Sequence, residues 1–261
     1  MPIWRADPHV LRAAIRSILA QTLRDFELLI LEDASEVAAR PTIEEFGDER
    51  IRHFVHPEKS SMAAARNRGL ALAHGAFVAM HDGDDVSHES RLERQFEFLH
   101  ANPDIDVVGS AIRVIDAEGR PVGMRDYPTT HDAILAALPR FNPIAHPSVM
   151  ARKTSISDAG GYDEASTRVC EDYELWSRLA HRGGRFCNLT EALLDYRLHA
   201  NASKRTRLRA TLADTIEIKD RYWSDARSTG DRVRIAIERG LLRMPSGFVY
   251  WLFRKTHLQS W

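Results

Sequence analysis

Apolar runs of strand length that end in carboxylates, separated by stretches of helical period, dominate the first hundred residues. Phe26-Glu27-Leu28-Leu29-Ile30-Leu31 runs into Glu32-Asp33-Ala34-Ser35. Phe77-Val78-Ala79-Met80 runs through His81 into Asp82-Gly83-Asp84-Asp85. Val10, Leu11, Ala14, Ile15, Ile18 and Leu19 recur at helical spacing behind Asp7 as N-cap and Pro8 in the first turn. Ile51–Val55 reads as a short strand. Further helices are expected over Thr42–Phe46, from Ala63 to Leu72 behind Ser60-Ser61 with Gly75 as the closing residue, and over Glu89–His100. This alternation predicts an α/β domain with a parallel sheet covered by helices on both faces. Ligands of such sheets sit at the carboxyl ends of strands, where both acidic clusters fall.

The pattern changes after residue 105. Ile105–Ile115 is strand-like, Glu118-Gly119-Arg120-Pro121 is a turn, and the chain returns toward Met124, so a hairpin makes the sheet mixed. A short helix is expected over Asp132–Leu138, a short strand over His146–Met150 and a turn at Gly160-Gly161-Tyr162-Asp163. Glu171-Asp172 opens a helix through Leu175, Trp176, Leu179 and Ala180 that Gly183-Gly184 closes, and another strand lies within Leu189–Leu198. From Lys204 onward the period is helical, with a second helix over Arg232–Leu242 and an aromatic, basic tail from Gly247 to Lys255. The sequence therefore divides into an α/β domain over 1–203 and a helical C-terminal extension over 204–261.

Composition sets the outer limits. A chain of 261 residues with 44% apolar content buries a sizeable core without disulfides, and Cys170 and Cys187, in no metal-ligand spacing, suit a reduced pair. A net charge of −1 gives no footprint for nucleic acid. No apolar run reaches the roughly 18 residues of a membrane span, and Met1-Pro2-Ile3-Trp4 runs straight into polar residues rather than a signal peptide. These features point to the cytoplasm. No G-x-G-x-x-G follows a strand, which argues against a dinucleotide-dependent dehydrogenase.

Three carboxylates within four positions repel one another, and a divalent cation relieves that repulsion. Oxygen ligands of this kind suit Mg²⁺ or Mn²⁺ shared with substrate phosphates. The same residues also suit an acidic turn that caps the next helix through Asp85 or Ser87. Glu171 and Asp172 likewise suit the dipole of the helix they open.

Four features line up in order: Glu32-Asp33-Ala34-Ser35, Ala65-Arg66-Asn67-Arg68-Gly69, Asp82-Gly83-Asp84-Asp85 and Glu171-Asp172. With Ser17–Thr22, Asn142–Ser148, Gly160–Asp163 and Tyr196-Arg197-Leu198-His199, they resemble the family 2 glycosyltransferases over roughly residues 1 to 205. The resemblance implies a GT-A-type fold, a central mostly parallel mixed sheet flanked by helices, and inverting transfer from a nucleotide-diphosphate sugar. It implies that Asp33 accepts a hydrogen bond from the base, commonly uracil, and that Trp4 stacks on it or else packs in the core. Arg66 would contact the base or steady a loop. Asp82 and Asp84 would be the DxD pair, with Asp84 on the metal and Asp82 nearer the ribose or a metal-bound water. His199 would add a metal ligand. Asp172 would be the general base, with Glu171 holding the acceptor or bracing the loop. Asp163 and Trp176 would line the acceptor cleft, or serve the turn and the core.

The implied acceptor is a hydroxyl of a surface glycan or a lipid-linked glycan. The tail suits a helix in the interface of a membrane close to such an acceptor, or one packed on the catalytic domain or in a homodimer. The chain departs from the family in having only Pro2-Ile3-Trp4 where a full apolar strand is normal. That strand would lie between the second strand and the one ending at Asp82, so the sequence reading expects a start upstream of Met1. A sugar-nucleotidyltransferase and a non-catalytic nucleotide-binding paralogue are the remaining alternatives. The former wants a Gly-rich basic loop after the first strand, which this chain lacks.

Overall fold

The computed structural model describes residues 1–34, 38–165, 169–198, 203–225 and 229–244. Strands β1 (Pro2–Ile3), β2 (Leu28–Asp33) and β3 (Ile51–His56) form one parallel sheet in that order. Helix α1 (Pro8–Leu19) starts where Asp7 accepts the amides of His9 and Val10 at 2.8 and 3.1 Å. Its apolar stripe of Leu11, Ile15 and Ile18 packs with Leu28 and Ile30 of β2. Helix α2 (Arg40–Glu44) follows β2, and α3 (Met62–Leu72) follows β3 with Ser61 as its cap.

The second sheet is built on a spine. After β4 (Phe77–Ala79), β5 (Val86–Ser87) and α4 (Arg91–Ala101) comes β6 (Val107–Ile115), buried along nearly its whole length. Next come β7 (Pro121–Arg125), α5 (His131–Ala137), β8 (Met150–Arg152), α6 (Lys153–Asp158), α7 (Glu171–His181) and β9 (Phe186–Arg197). The strand order is β4-β8-β6-β9-β5, with β7 also on β6. Only β6 and β9 pair in parallel; the other pairs are antiparallel. The α/β architecture is as expected, but the strands fall into two sheets, and the second is largely antiparallel. β1 spans two residues and pairs with β2 alone, too short to carry a ladder across to β4.

Between β2 and β4 lies a cavity of about 780 Å³ whose lining includes Leu29, Leu31, Leu70, Val78 and His81. The Met1 amine reaches the Leu29 carbonyl at 2.8 Å, and burial pushes that amine down to about 5.

Two local expectations need correction. His146–Ser148 is a turn of 3-10 helix, because the amides of Ser148 and Val149 return to the carbonyls of Ala145 and His146, so strand β8 starts only at Met150. Gly75 does not close α3. The helix ends at Ala73 in extended backbone and runs on toward β4 without a left-handed residue. Gly183 does end α7 in the left-handed region, at φ +84°.

Helices α8 (Ser203–Trp223) and α9 (Thr229–Leu242) follow β9. Ile218 and Trp223 enter the same apolar cluster as Leu175, Trp176 and Phe186. The Trp223 indole donates to Ser177 Oγ at 3.1 Å, so α8 shares its core with the α/β domain. The basic aromatic tail lies outside the described residues. Among the described residues, no helix is long and apolar enough to cross a membrane, and both cysteines are free thiols.

Candidate active site

The acidic loop is delivered by β4. Met80 donates its amide to the Val149 carbonyl at 2.8 Å, so the chain stays tied to β8 until His81, and then it turns. Gly83 allows that turn to pass β1, since a Cβ there would stand 2.6 Å from Ile3 Cγ2. Carboxylate oxygens of Asp82, Asp84 and Asp85 come within 4.8 Å of one another. Asp85 is buried, its Oδ1 accepts the Arg197 amide at 2.9 Å, and its Oδ2 has no hydrogen-bond partner. The Arg197 guanidinium donates to the Asp84 carbonyl at 2.9 Å, so the end of β9 clamps the loop.

Burial, with Asp82 and Asp84 adding repulsion, pushes the Asp85 carboxyl well up. Burial and Asp84 raise Asp82, against the pull of Arg66. Three crowded carboxylates, one with a buried oxygen lacking any donor, form a set that fits a hard divalent cation such as Mn²⁺ or Mg²⁺. The capping alternative does not hold: α4 starts behind Ser90 with no side-chain cap, and Ser87 Oγ instead accepts from Arg91 at 3.0 Å. His199 lies outside the described residues.

Asp33 and Trp4 sit over the other strand end. Asp33 is buried and accepts from the Ser60 amide and hydroxyl at 2.9 Å, with Arg68 at 3.5 Å. Trp4 is 44% exposed, so it is not a core residue. Lys59 Nζ lies 4.0 Å from the centre of its ring. The neighbours Lys59 and Ser60 thus bring the Trp4 face and the Asp33 carboxylate to one side of the α3 entrance.

Arg66 and Asn67 of α3 reach the second half of the chain. Arg66 Nη1 donates to Glu171 Oε1, and Nη2 faces Asp82 Oδ1 at 3.5 Å. Burial weakens the Arg66 charge, but Asp82 and Glu171 outweigh it and hold the guanidinium protonated. Asn67 clamps the Tyr162 amide at 2.7 Å and the Tyr162 carbonyl at 2.9 Å. Gly161 there adopts φ +70°, and a Cβ on it would meet Asn67 Oδ1 at 2.6 Å. The Tyr162 hydroxyl is 2.8 Å from Nε2 of buried His146, whose proton affinity burial lowers strongly.

Asp172 stands beside Glu171 at the start of α7, half-buried. Its Oδ1 accepts the Tyr173 amide and its Oδ2 accepts from Asn142 Nδ2, each at 2.8 Å. Burial and then Glu171 push its carboxyl up to about 6, against the pull of Arg66 and these two hydrogen bonds. The site therefore holds a crowded acidic cluster and, across one arginine, a carboxylate poised to take a proton near neutral pH.

The family model for glycosyl transferase family 2 matches residues 1–160. The chain belongs to that family. This family 2 glycosyltransferase is 34% identical over 213 residues to the O-antigen biosynthesis glycosyltransferase WbnJ of Escherichia coli, covering 80% of this chain and 82% of that protein. It is 36% identical over 102 residues to the Escherichia coli UDP-Glc:alpha-D-GlcNAc-diphosphoundecaprenol beta-1,3-glucosyltransferase WfgD, 39% of this chain and 40% of the relative. Its backbone is similar to that of a mannosyltransferase from Pyrobaculum calidifontis solved in complex with GDP-Man and Mn²⁺. The TM-score is 0.66 at 13% identity, over 95% of this chain and 70% of that one. The fold is of the GT-A type.

In this family 2 glycosyltransferase, Trp176 is fully buried among core residues and stacks on His146 at 6.0 Å, so it does not line an open cleft. An apolar position on the inner stripe of α7 took it into the core. Asp163 holds the turn, accepting the Ala165 amide at 2.9 Å and facing Arg221 of α8 at 3.3 Å. Sequence reasoning held Asn142, Asn67 and Arg197 within its motifs but gave them no role, and it counted Asp85 in the acidic cluster while leaving it as a possible cap. The side-chain bonds of the first three span 30 residues or more, and no local spacing encodes them.

Proposed function

We propose that this glycosyltransferase transfers a sugar from a nucleotide-diphosphate donor, a uridine diphosphate sugar in the first instance, with inversion and with a divalent cation. The acceptor would be a hydroxyl of an envelope glycan or a lipid-linked glycan. The observation that carries the reading is Arg66, which joins Asp82 of the acidic cluster to Glu171 beside Asp172. Donor-side and acceptor-side groups thereby belong to one site. The name of WfgD supports a uridine donor and a lipid-diphosphate-linked acceptor, and the Pyrobaculum structure of similar fold, solved with GDP-mannose and Mn²⁺, supports a nucleotide-diphosphate sugar and a divalent cation.

In this reading Trp4 and Asp33 hold the base, one by its exposed face and one by its carboxylate. Asp84 and Asp82 hold the cation, with Asp85 beneath them. When bound, the cation supplies positive charge to the diphosphate leaving group. Asp172 accepts the proton of the acceptor hydroxyl while that oxygen attacks the anomeric carbon from the face opposite the diphosphate. A carboxyl pushed up to about 6 is ionised at pH 7 to 8 and a stronger base than an ordinary aspartate. Glu171, neutralised by Arg66, braces the start of α7.

The test is to incubate the protein with Mn²⁺, a panel of nucleotide sugars and a lipid-diphosphate-linked or glycan acceptor, then assign the anomeric configuration of the glycoside formed by NMR, with a parallel arm that supplies a nucleoside triphosphate and a sugar phosphate. Release of a nucleoside diphosphate with an inverted sugar supports the reading. Release of pyrophosphate from a nucleoside triphosphate, or a retained configuration, contradicts it.

A further inference from the structure

Asn142 lies in the connection between α5 and the turn at His146–Ser148, far in sequence from every acidic motif. Its side chain nevertheless meets Asp172. Asn142 Oδ1 accepts the Ile144 amide at 3.3 Å, which leaves the NH₂ group to face Asp172 Oδ2 at 2.8 Å. The segment that carries Asn142 is itself fixed. Buried Asn188 of β9 donates to the Pro143 carbonyl at 3.1 Å and to the Pro128 carbonyl at 2.7 Å, and Ile144 is buried next to it. Strand β9 thus holds Asn142 in place, and Asn142 holds the carboxylate.

We infer that Asn142 is the positioning residue for Asp172: its amide fixes the plane of the carboxylate and thereby the lone pairs that the acceptor hydroxyl meets. The inference rests on the proposed role of Asp172 as base. A carboxylate offers about four lone-pair directions, two per oxygen. The Tyr173 amide takes one on Oδ1 and Asn142 takes one on Oδ2. One direction on each oxygen remains, and the plane that contains both is set by the two donors. With only the Tyr173 contact, the carboxyl could rotate about its Cβ–Cγ bond.

The choice of an amide also matters chemically. The charged and titratable groups facing Asp172 are Glu171 on its own helix, Arg66 from α3, Tyr127 after β7, and Tyr162 and Cys170 from the segment before α7. Arg66 already favours the carboxylate. A second cation at position 142 would depress the basicity of Asp172, and a carboxylate there would keep it protonated at working pH. A neutral donor orients the group and leaves its basicity close to neutral pH.

The test compares wild type, Asn142→Ala, Asn142→Asp and Asp172→Asn in donor turnover with Mn²⁺ from pH 5 to pH 9. The Asn142 variants remove or invert the contact without touching the acidic loop, and thermal unfolding at pH 8 checks that each is folded. Expected for Asn142→Ala is a fall in kcat of about tenfold at unchanged donor KM, with the acid limb of the profile moved up by about half to one pH unit. In Asn142→Asp, which keeps the shape of the side chain, the limb moves further in the same direction. An unmoved limb in both folded variants, with Asp172→Asn inactive, overturns the role of Asn142 alone. Wild-type turnover by Asp172→Asn instead overturns the base assignment on which it rests.

Discussion

Arg66 donates to Glu171 across 105 residues of sequence and ties the helix after β3 to the start of α7. Both side chains are only 9% exposed. A second nitrogen of the same guanidinium faces Asp82 in the acidic loop. One buried cation therefore stands between the groups assigned to the donor and those assigned to the acceptor.

Removing that cation leaves Glu171 buried and unpaired. Arg66→Met should cost about 3 kcal/mol in urea unfolding, because an uncompensated buried charge is far worse than a lost pair. The double variant Arg66→Met with Glu171→Gln should recover most of that loss. A single variant within about 0.5 kcal/mol of wild type would mean that the pair is exposed enough for water to replace it.

Asp172→Asn should lower turnover by about 10²-fold or more while nucleotide and Mn²⁺ affinities stay within a few-fold of wild type. The same change should stabilise the fold at pH 8. The Asp172 carboxyl titrates near 6 in the folded chain, above the ordinary aspartate value near 4, so the folded state binds more protons between those limits. Stability then falls as pH rises through that window, and the penalty is complete above it. Relief should be of order 1–3 kcal/mol at pH 8 and absent below about pH 4. Thermal unfolding at the two pH values checks both the size and the sign.

Gly161→Ala should destabilise by about 1–3 kcal/mol, since it places a Cβ at positive φ and against Asn67 Oδ1. Gly183→Ala, also at positive φ but with nothing within 4 Å, should cost less. Equal losses for the two would show that backbone strain alone, and not the Asn67 clamp, fixes Gly161.

Much of this site was legible in the sequence because its acids sit at element ends. Asp82 and Asp84 follow an apolar run, and Glu171 and Asp172 open a helix, so strand ends and helix starts place them with no knowledge of contacts. The extended α1, β2, β3 and α3 were legible for the same reason of period. Long-range pairing was not. Nothing local says that β8 runs antiparallel between β4 and β6. Trp176 shows the converse error: adjacency to an active-site motif suggested a cleft, but its place on the buried stripe of α7 decided its fate. Asn142 stood within a family-like segment, but its role was not legible because its partner Asp172 lies 30 residues away.

The most direct test of the account is calorimetric titration of uridine diphosphate into wild type and Asp84→Ala, each with and without Mn²⁺. The account predicts that Mn²⁺ tightens binding by at least about tenfold in wild type, roughly 1.4 kcal/mol, and not in the variant. Binding that ignores Mn²⁺ in wild type, or that tightens equally in Asp84→Ala, would contradict the assignment of the acidic loop after β4 as the cation and donor site.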